Sequence, residues 1–223
     1  MKAEQLHYLL TKHIFSTGHV PSMEWVASQS GTTFESVKRS LRELEAMHGV
    51  ILEPNSLRVW SLHPFALMPT RFWVSTPDGG WWANCAWCAL GIGAALNADV
   101  VIETGEGAEG TPLVFSISGK VCSNPSVLMH FPDPPFHWWD NPYCPCGNIL
   151  FFTSQDSIEN WCRQHGRPRG ATLDIATGVA LAERWFGDYA SRDWVRKTPE
   201  QAVEIFEELE LDPGFWRLDD TSL

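Results

Sequence analysis

The sequence has little charge and no long uninterrupted hydrophobic run. Charged residues make up only 19% of its 223 residues and hydrophobic residues 44%, a composition that excludes disordered, collagen-like and coiled-coil proteins. The longest nearly uncharged stretch, residues 79–98, contains two asparagines and four glycines, so we expect no membrane-spanning helix. The first residues are too polar for a signal peptide. We therefore expect a globular cytoplasmic protein with no membrane partner.

Basic charge is also scarce. Sixteen Lys and Arg stand against 27 Asp and Glu, which gives a formal net charge of −11. Residues 1–60 carry six basic and six acidic residues, whereas residues 199–223 carry one arginine and eight acids and are interpreted as an acidic C-terminal tail. Because affinity for nucleic acid depends on neutralising phosphates, this balance argues against DNA as a partner.

Residues 1–63 have the pattern of a winged helix-turn-helix module. Apolar residues at helical spacing predict helices over 3–15, 23–29 and 34–48, and residues 50–52 and 57–60 predict the hairpin of a wing. Lys38, Arg39 and Arg42 would point outward from the third helix. Since the module has no net charge, a structural or dimerising role is favoured over DNA binding.

The sequence changes character after this module. Residues 64–80 contain three prolines and are interpreted as a linker. In residues 81–198, Trp and Gly become frequent and short strands replace long helices. Helices are predicted over 86–96, 157–165 and 181–189, and strands over 100–103, 113–118, 127–130 and 148–153. Their mixed order favours an α+β fold.

Six cysteines are many for a reducing compartment, where clustered cysteines bind metals or react more often than they form disulfides. They are Cys85, Cys88, Cys122, Cys144, Cys146 and Cys162. A structural zinc site fits imperfectly, because one pair is spaced C-x-C and the other runs into an apolar helix. A thioredoxin-like site would need a strand before its C-x-x-C. Residues 77–80 are interpreted as a turn, which argues against such a site. Thiolates from two distant segments would favour a soft ion such as Cu(I) or Hg(II).

Several motifs in this region resemble those of the organomercurial (alkylmercury) lyase family. They are Ala86-Trp87-Cys88-Ala89-Leu90, Gly110-Thr111-Pro112 and Cys146-Gly147-Asn148-Ile149-Leu150-Phe151-Phe152. The resemblance extends over roughly residues 82–189, and the family also carries an N-terminal winged-helix-like module. It implies an enzyme that cleaves a carbon–mercury bond and releases a hydrocarbon and Hg(II). It also implies that no resident cofactor is required, that free thiols accept the Hg(II), and that a mercuric reductase is a candidate partner.

The resemblance also assigns the site. It implies that Cys88 and Cys146 are the catalytic cysteines that bind mercury. Cys85 and Cys144 lie within three residues of these two and are further candidate metal ligands. The family places a proton-donating acid three residues after the first cysteine, where this sequence has Gly91. We expect the glycine to leave room for a substitute donor.

The missing acid keeps alternatives to a lyase open. A positioned general acid contributes about 10²–10⁴-fold to a rate. Without one, the protein could be a non-catalytic thiolate protein that holds Hg, Cu or Zn, or a metal-sensing winged-helix regulator on the same scaffold. Glu103, Glu106 and Asp174 are the carboxylates considered as substitutes, and each is expected to be a solvated surface group.

Overall fold

The computed structural model describes residues 1–138, the backbone of 143–144 and residues 145–218. The described residues form eight α-helices and eleven β-strands, and the α+β class predicted from the sequence is confirmed. The helices are α1 (Ala3–Thr17), α2 (Met23–Gln29), α3 (Phe34–Ala46), α4 (Ala86–Leu96), α5 (Tyr143–Asn148), α6 (Gln155–His165), α7 (Ile175–Phe186) and α8 (Pro199–Glu208). The strands are β1 (Ile51–Leu52), β2 (Val59–Leu62), β3 (Phe65–Ala66), β4 (Trp73–Thr76), β5 (Gly79–Ala83), β6 (Val100–Gly105), β7 (Pro112–Ser118), β8 (Val121–Cys122), β9 (Leu128–Phe131), β10 (Leu150–Phe152) and β11 (Ala171–Asp174).

The first three helices form where the hydrophobic spacing places them. Ser22 caps α2 by accepting a hydrogen bond from the Trp25 N–H at 3.1 Å, and Thr33 caps α3 in the same way. These caps satisfy N–H groups that the first turn of a helix leaves free. The antiparallel pair β1–β2 follows, as the hairpin prediction requires. The assignment of this module as a winged helix stays a prediction.

The segment interpreted as a linker, residues 64–80, is part of a sheet. It contains β3, β4 and the start of β5, in an eight-stranded sheet of order β1-β2-β3-β5-β4-β6-β7-β8. Its prolines, Pro64, Pro69 and Pro77, lie outside these strands. They therefore mark connections between paired strands, because proline cannot donate to a sheet ladder. The hairpin of the N-terminal module is thus continuous with the sheet of the rest of the chain.

Helix α4 is the central buried element. All but one of its eleven residues are buried, as is expected of a helix that is apolar on every side. It packs against α7, where a Cβ added at Gly178 would lie 3.4 Å from Leu90 of α4. The three-stranded sheet β10-β9-β11 lies beside this pair and includes β11, which the sequence patterns did not predict. Among the described residues, no helix has both the length and the apolar character needed to cross a membrane.

The segment interpreted as an acidic tail is folded for most of its length. Thr198 and Gln201 form a capping box that starts α8, which stabilises a helix N-terminus by satisfying two N–H groups at once. Phe206 of α8 and Trp216 beyond it are both buried. The acidic residues therefore occupy the outer side of an amphipathic helix that covers the core.

His7 of α1 is buried against the C-terminal part of the chain. Its ring stacks on Trp194 with the ring centroids 3.6 Å apart, and the edge of Tyr189 lies 5.3 Å away. Neither ring nitrogen has a hydrogen-bond partner among the described residues. Burial lowers the pKa of His7 to about 3. A proton on this ring would lack both water and a hydrogen-bond acceptor, so the folded protein keeps the ring neutral.

His7 should make the protein less stable in mild acid. The unfolded chain takes up a proton near pH 6.5, whereas the folded chain resists it until about pH 3. The contribution of the neutral ring to the free energy of unfolding is therefore fully present above pH 6.5. At lower pH it decreases by about 1.4 kcal/mol for each pH unit. Urea unfolding at pH 7 and pH 5 measures this decrease. Between these two pH values, the free energy of unfolding should decrease less in His7→Phe than in the wild type.

The control for this experiment is His19→Phe, since His19 is exposed. It should keep the wild-type pH dependence. Burial also lowers the pKa of His130, to about 4, and this group contributes equally in all three proteins. An unchanged pH dependence in His7→Phe would contradict the account.

Candidate functional site

Three distant segments meet at the N-terminus of α4. The Ala86 N–H, in the first turn of α4, donates a hydrogen bond to the Ile149 carbonyl at 3.0 Å, which ties α4 to the end of α5. The Asn84 side chain donates to the Ser61 hydroxyl at 2.8 Å and to the Pro64 carbonyl at 3.3 Å. These bonds bring together the residues that precede β3, the residues that open α4 and those that precede β10.

Two thiols and an imidazole converge at this junction. The ligand atoms of His63, Cys88 and Cys146 all lie within 4.8 Å of one another. His63 Nε2 and Cys146 Sγ share a hydrogen bond at 3.5 Å. Cys88 is buried, while His63 and Cys146 are partly accessible. The structure therefore brings together the two cysteines singled out from the sequence and adds a histidine.

Cys85 adds a third thiol to the cluster. It is the N-cap residue of α4, and its Sγ accepts a hydrogen bond from the Cys88 N–H at 3.4 Å. Its thiol also interacts electrostatically with the side chains of Cys146 and Cys88. Among the described residues the sulfur atoms of the cluster are those of Cys85, Cys88 and Cys146; the side chain of Cys144 lies outside the described residues.

The three thiols are not electrostatically equivalent. Burial raises the pKa of the Cys88 thiol, and hydrogen bonds to Cys146 and Cys85 raise it further. Hydrogen bonding to Cys85 likewise raises the pKa of Cys146. For Cys85, burial acts in the same direction, but the hydrogen bonds from Cys146 and Cys88 outweigh it and hold its pKa well below the usual range. The directions of these shifts favour ionisation of Cys85 over that of Cys88 and Cys146, in keeping with its place at the helix N-terminus, where the helix dipole favours an anion.

Cys88, Cys146 and His63 lie on the wall of a cavity of about 80 Å³. A cavity needs about 10–15 Å³ to hold a single water molecule, so this cavity admits several waters or a small organic group. Six aromatic side chains form much of the remaining wall: those of Trp87, Trp138, Trp185, Phe186, Tyr189 and Trp194. Cys88 and Cys146 therefore face a cavity whose surface is mostly apolar.

The remaining cysteines lie apart from this cluster. Cys122 donates a hydrogen bond to the Asn124 carbonyl at 3.3 Å. Cys162 donates to the Pro168 carbonyl at 3.4 Å and contacts His130. Both have local partners in their own part of the fold, as expected for structural cysteines.

The carboxylates considered as proton donors have structural positions. Glu106 accepts hydrogen bonds from the Thr153 N–H and from hydroxyl groups near the start of α6. Asp174 caps α7 by accepting from the Thr177 N–H at 2.8 Å. Glu103 is exposed on β6. None of the three lines the cavity.

The short helix before β10 corrects one local prediction. The sequence predicts a strand that begins at residue 148, but Cys144, Pro145, Cys146 and Asn148 itself lie in α5. The strand β10 starts only at Leu150. Pro145 suits this position because a proline in the first turn of a helix loses no intrahelical hydrogen bond.

Comparison with known proteins agrees with this architecture. The family model for MerB, described as alkylmercury lyase, matches residues 65–187, more than half of the chain. The chain belongs to the alkylmercury lyase family. Among solved structures, one titled as the mercury-bound form of MerB2 is similar at 16% sequence identity with a TM-score of 0.63, covering 85% of this chain and 99% of that chain. At that identity the likeness concerns the fold. No curated protein matches the sequence.

The position at which the alkylmercury lyase resemblance places the acid is filled from another helix. A Cβ added at Gly91 would lie 2.5 Å from Cδ2 of Phe186 and 2.8 Å from Cε2. Phe186 is the last residue of α7, is buried, and also lines the cavity. The expectation that Gly91 leaves room for a substitute donor is therefore wrong, because an aromatic ring occupies the space.

Gly91→Ala should destabilise the protein by about 1–3 kcal/mol, the usual cost of overpacking a core. Urea unfolding of Gly91→Ala measures this cost. The control is Gly147→Ala, since a Cβ at Gly147 meets nothing within 4 Å. In a Phe186→Leu background the added cost of Gly91→Ala should shrink. An equal cost in both backgrounds would contradict the contact.

Proposed function

We propose that this member of the alkylmercury lyase family binds organomercurials through Cys88 and Cys146 and breaks the carbon–mercury bond with a proton from the thiol cluster itself. The observation that carries the proposal is the convergence of two thiols and an imidazole on one cavity with aromatic walls, with the thiol of Cys85 next to Cys88. Thiolate sulfur is the ligand that soft ions such as mercury prefer. Among the described residues that line the cavity, none is an aspartate or glutamate.

The proposed reaction needs no external oxidant or reductant. An organomercury cation, R–Hg⁺, binds two thiols and forms two Hg–S bonds. The electron pair of the C–Hg bond leaves with the carbon, which takes one thiol proton and becomes R–H. The second thiol proton is released, and mercury remains as Hg(II) held by two thiolates. Charge and atoms balance, because a cation and two neutral thiols give a hydrocarbon, a neutral dithiolate complex and one proton.

The surroundings of the cluster support this chemistry. Cys88 lies in the first turn of α4, where the helix dipole stabilises the thiolate formed on binding. The aromatic walls limit water around the reacting carbon, which strengthens electrostatic interactions inside the site. Phe186 occupies the acid's place, so the thiol protons stand in for the carboxyl proton.

Incubation with an organomercurial and excess free thiol should release the hydrocarbon, which gas chromatography detects. Cys88→Ser should reduce the release to the level of free thiol alone, because it removes one of the two sulfur ligands. The control is Cys162→Ser, which changes a buried cysteine of another part of the fold. Full turnover by Cys88→Ser would refute the assignment of Cys88.

Cys85 belongs to the proposal as a third sulfur ligand that holds Hg(II) after cleavage. Its Sγ lies 3.4 Å from the Cys88 backbone nitrogen and interacts electrostatically with the thiols of Cys88 and Cys146, so a small movement would place three sulfurs around one ion. The product would then leave by exchange with free thiols, and a mercuric reductase is the proposed final acceptor. Cys144 stays a candidate ligand from the sequence alone.

Cys85→Ser tests this role without removing the helix cap, because serine is a good N-cap residue. Mercury-loaded Cys85→Ser should lose Hg(II) to a competing small dithiol at about 10- to 100-fold lower dithiol concentration than the wild type. Loss of a group that supports a bound metal typically lowers the metal affinity by this factor. Circular dichroism checks that the fold is intact. Equal retention in both proteins would exclude the third ligand.

A second function, holding the soft ion without cleavage, is favoured by the Phe186 ring at the acid position. The same reaction mixture separates the two functions. A stoichiometric complex with the organic group still attached to mercury would support binding alone. Release of the hydrocarbon would support the lyase.

A further inference from the structure

The histidine beside the thiols has no part in the proposed reaction. His63 Nε2 lies 3.5 Å from the Sγ of Cys146, and the ligand atoms of His63, Cys88 and Cys146 all lie within 4.8 Å of one another. Imidazole nitrogen and thiolate sulfur are the ligands that zinc prefers in proteins. The three side chains therefore have the composition of a zinc site as well as the two sulfurs of a mercury site.

The spacing of these ligand atoms is close to that around a zinc ion. Zinc binds sulfur at about 2.3 Å and imidazole nitrogen at about 2.0–2.1 Å, so two ligand atoms of a tetrahedral complex are about 3.5–3.8 Å apart. The distance between His63 Nε2 and Cys146 Sγ already matches one edge of such a tetrahedron. The other distances, which are at most 4.8 Å, need to shorten by no more than about 1.3 Å to reach this geometry.

Hydrogen bonds hold the three ligand segments near one another. The Asn84 side chain bonds residues on either side of His63. One backbone hydrogen bond ties the start of α4, which carries Cys88, to the end of α5, which carries Cys146. Groups that fix metal ligands in place raise the affinity for the metal. The segments are thus arranged for metal binding before the metal arrives.

A zinc ion would also suit the burial of the cluster. It would replace one proton on each of Cys88 and Cys146, so that two protons are released and two Zn–S bonds form. The complex of Zn(II), two thiolates and a neutral imidazole has no net charge, and no electron is transferred. A neutral complex avoids the cost of an unpaired charge beside the buried Cys88.

The three ligands leave one position of a tetrahedral ion open toward the cavity. His63, Cys88 and Cys146 all line this cavity, whereas Cys85 lies outside the three-atom group and accepts a hydrogen bond from the Cys88 N–H. Zinc sites with three protein ligands, including the set of two cysteines and a histidine, keep their fourth position for water or a substrate. The cavity has room for such a ligand.

We propose that His63, Cys88 and Cys146 form an open zinc site in which the protein holds Zn(II) when no organomercurial is present. The site shares two cysteines with the proposed function but does not depend on cleavage of the carbon–mercury bond. His63 makes the difference between the two metals. Mercury is held by the two sulfurs, whereas zinc also needs the imidazole nitrogen.

Cobalt(II) is the probe for this site, because it replaces zinc and its spectrum reports the ligands. Strong visible d–d bands indicate a tetrahedral ion, and near-ultraviolet charge-transfer bands indicate bound thiolate. The metal-free full-length protein is reduced with a phosphine and titrated with Co(II) under anaerobic conditions. The wild type should take up one equivalent and show both sets of bands, and one equivalent of Zn(II) should abolish them.

His63→Gln should lower the affinity for Zn(II) and Co(II) at least about tenfold, the smallest effect typical of groups that merely support a metal ligand. The glutamine keeps a polar group beside Cys146 but lacks the imidazole nitrogen. His63→Cys should restore a tetrahedral site, with stronger charge-transfer bands from its third sulfur. His19→Gln is the control, since His19 is exposed, and it should bind both metals as the wild type does.

Hg(II) separates a ligand from a structural residue. His63→Gln should still bind one equivalent of Hg(II), because both sulfurs remain. Joint loss of Zn(II) and Hg(II) binding in this variant would give His63 a structural role and overturn the proposal. Absence of tetrahedral Co(II) in the wild type, or equal Zn(II) affinity in wild type and His63→Gln, would also overturn it. Hydrocarbon release is measured with metal-free protein, so the proposed function stands or fails separately.

Discussion

One backbone hydrogen bond, from the Ala86 N–H to the Ile149 carbonyl, joins the two segments that carry the thiols of the candidate site. Cys85 and Cys88 stand on one side of this bond and Cys146 on the other. The Asn84 side chain adds the third segment by bonding Ser61 and Pro64 on either side of His63. The cluster depends on these contacts, because its members are separated by up to 83 residues in the sequence.

The helix that carries Cys88 has a second constraint. Its burial on all sides leaves little room for side chains, and at Gly91 the Phe186 ring of α7 fills the space that a Cβ would need. Packing and chemistry are therefore linked at this position. The ring closes the cavity wall beside the thiols, and the same ring excludes the carboxyl group that the family resemblance places there. A donor within the thiol cluster is consistent with both facts.

Much of the fold could be predicted from local sequence patterns. The bounds of α2 and α4 agree with the predicted helices, since caps and apolar spacing mark both. The prolines in residues 64–80 misled the interpretation because they separate short strands whose pairing partners lie elsewhere in the sequence. The helix α8 was missed because its acidic residues masked the apolar positions that include Phe206.

The candidate site was predictable in part. Cys88 and Cys146 stand in motifs that can be recognised locally, and the structure brings them together. His63 has no such motif, and its place follows from the pairing of β3 with β5 and from the Asn84 bonds. The position of Phe186 beside Gly91 could not be predicted either, because it is a tertiary contact of α7 that the periodicity of the sequence does not reveal.

A crystal structure of the protein after reaction with an aryl organomercurial tests the central claim most directly, because anomalous scattering locates the mercury and electron density shows whether the organic group remains. The account predicts mercury bonded to the sulfurs of Cys88 and Cys146, with the organic group gone. Mercury bound only at Cys122 or Cys162, or still carrying its organic group in the cavity, would contradict cleavage by the thiol cluster.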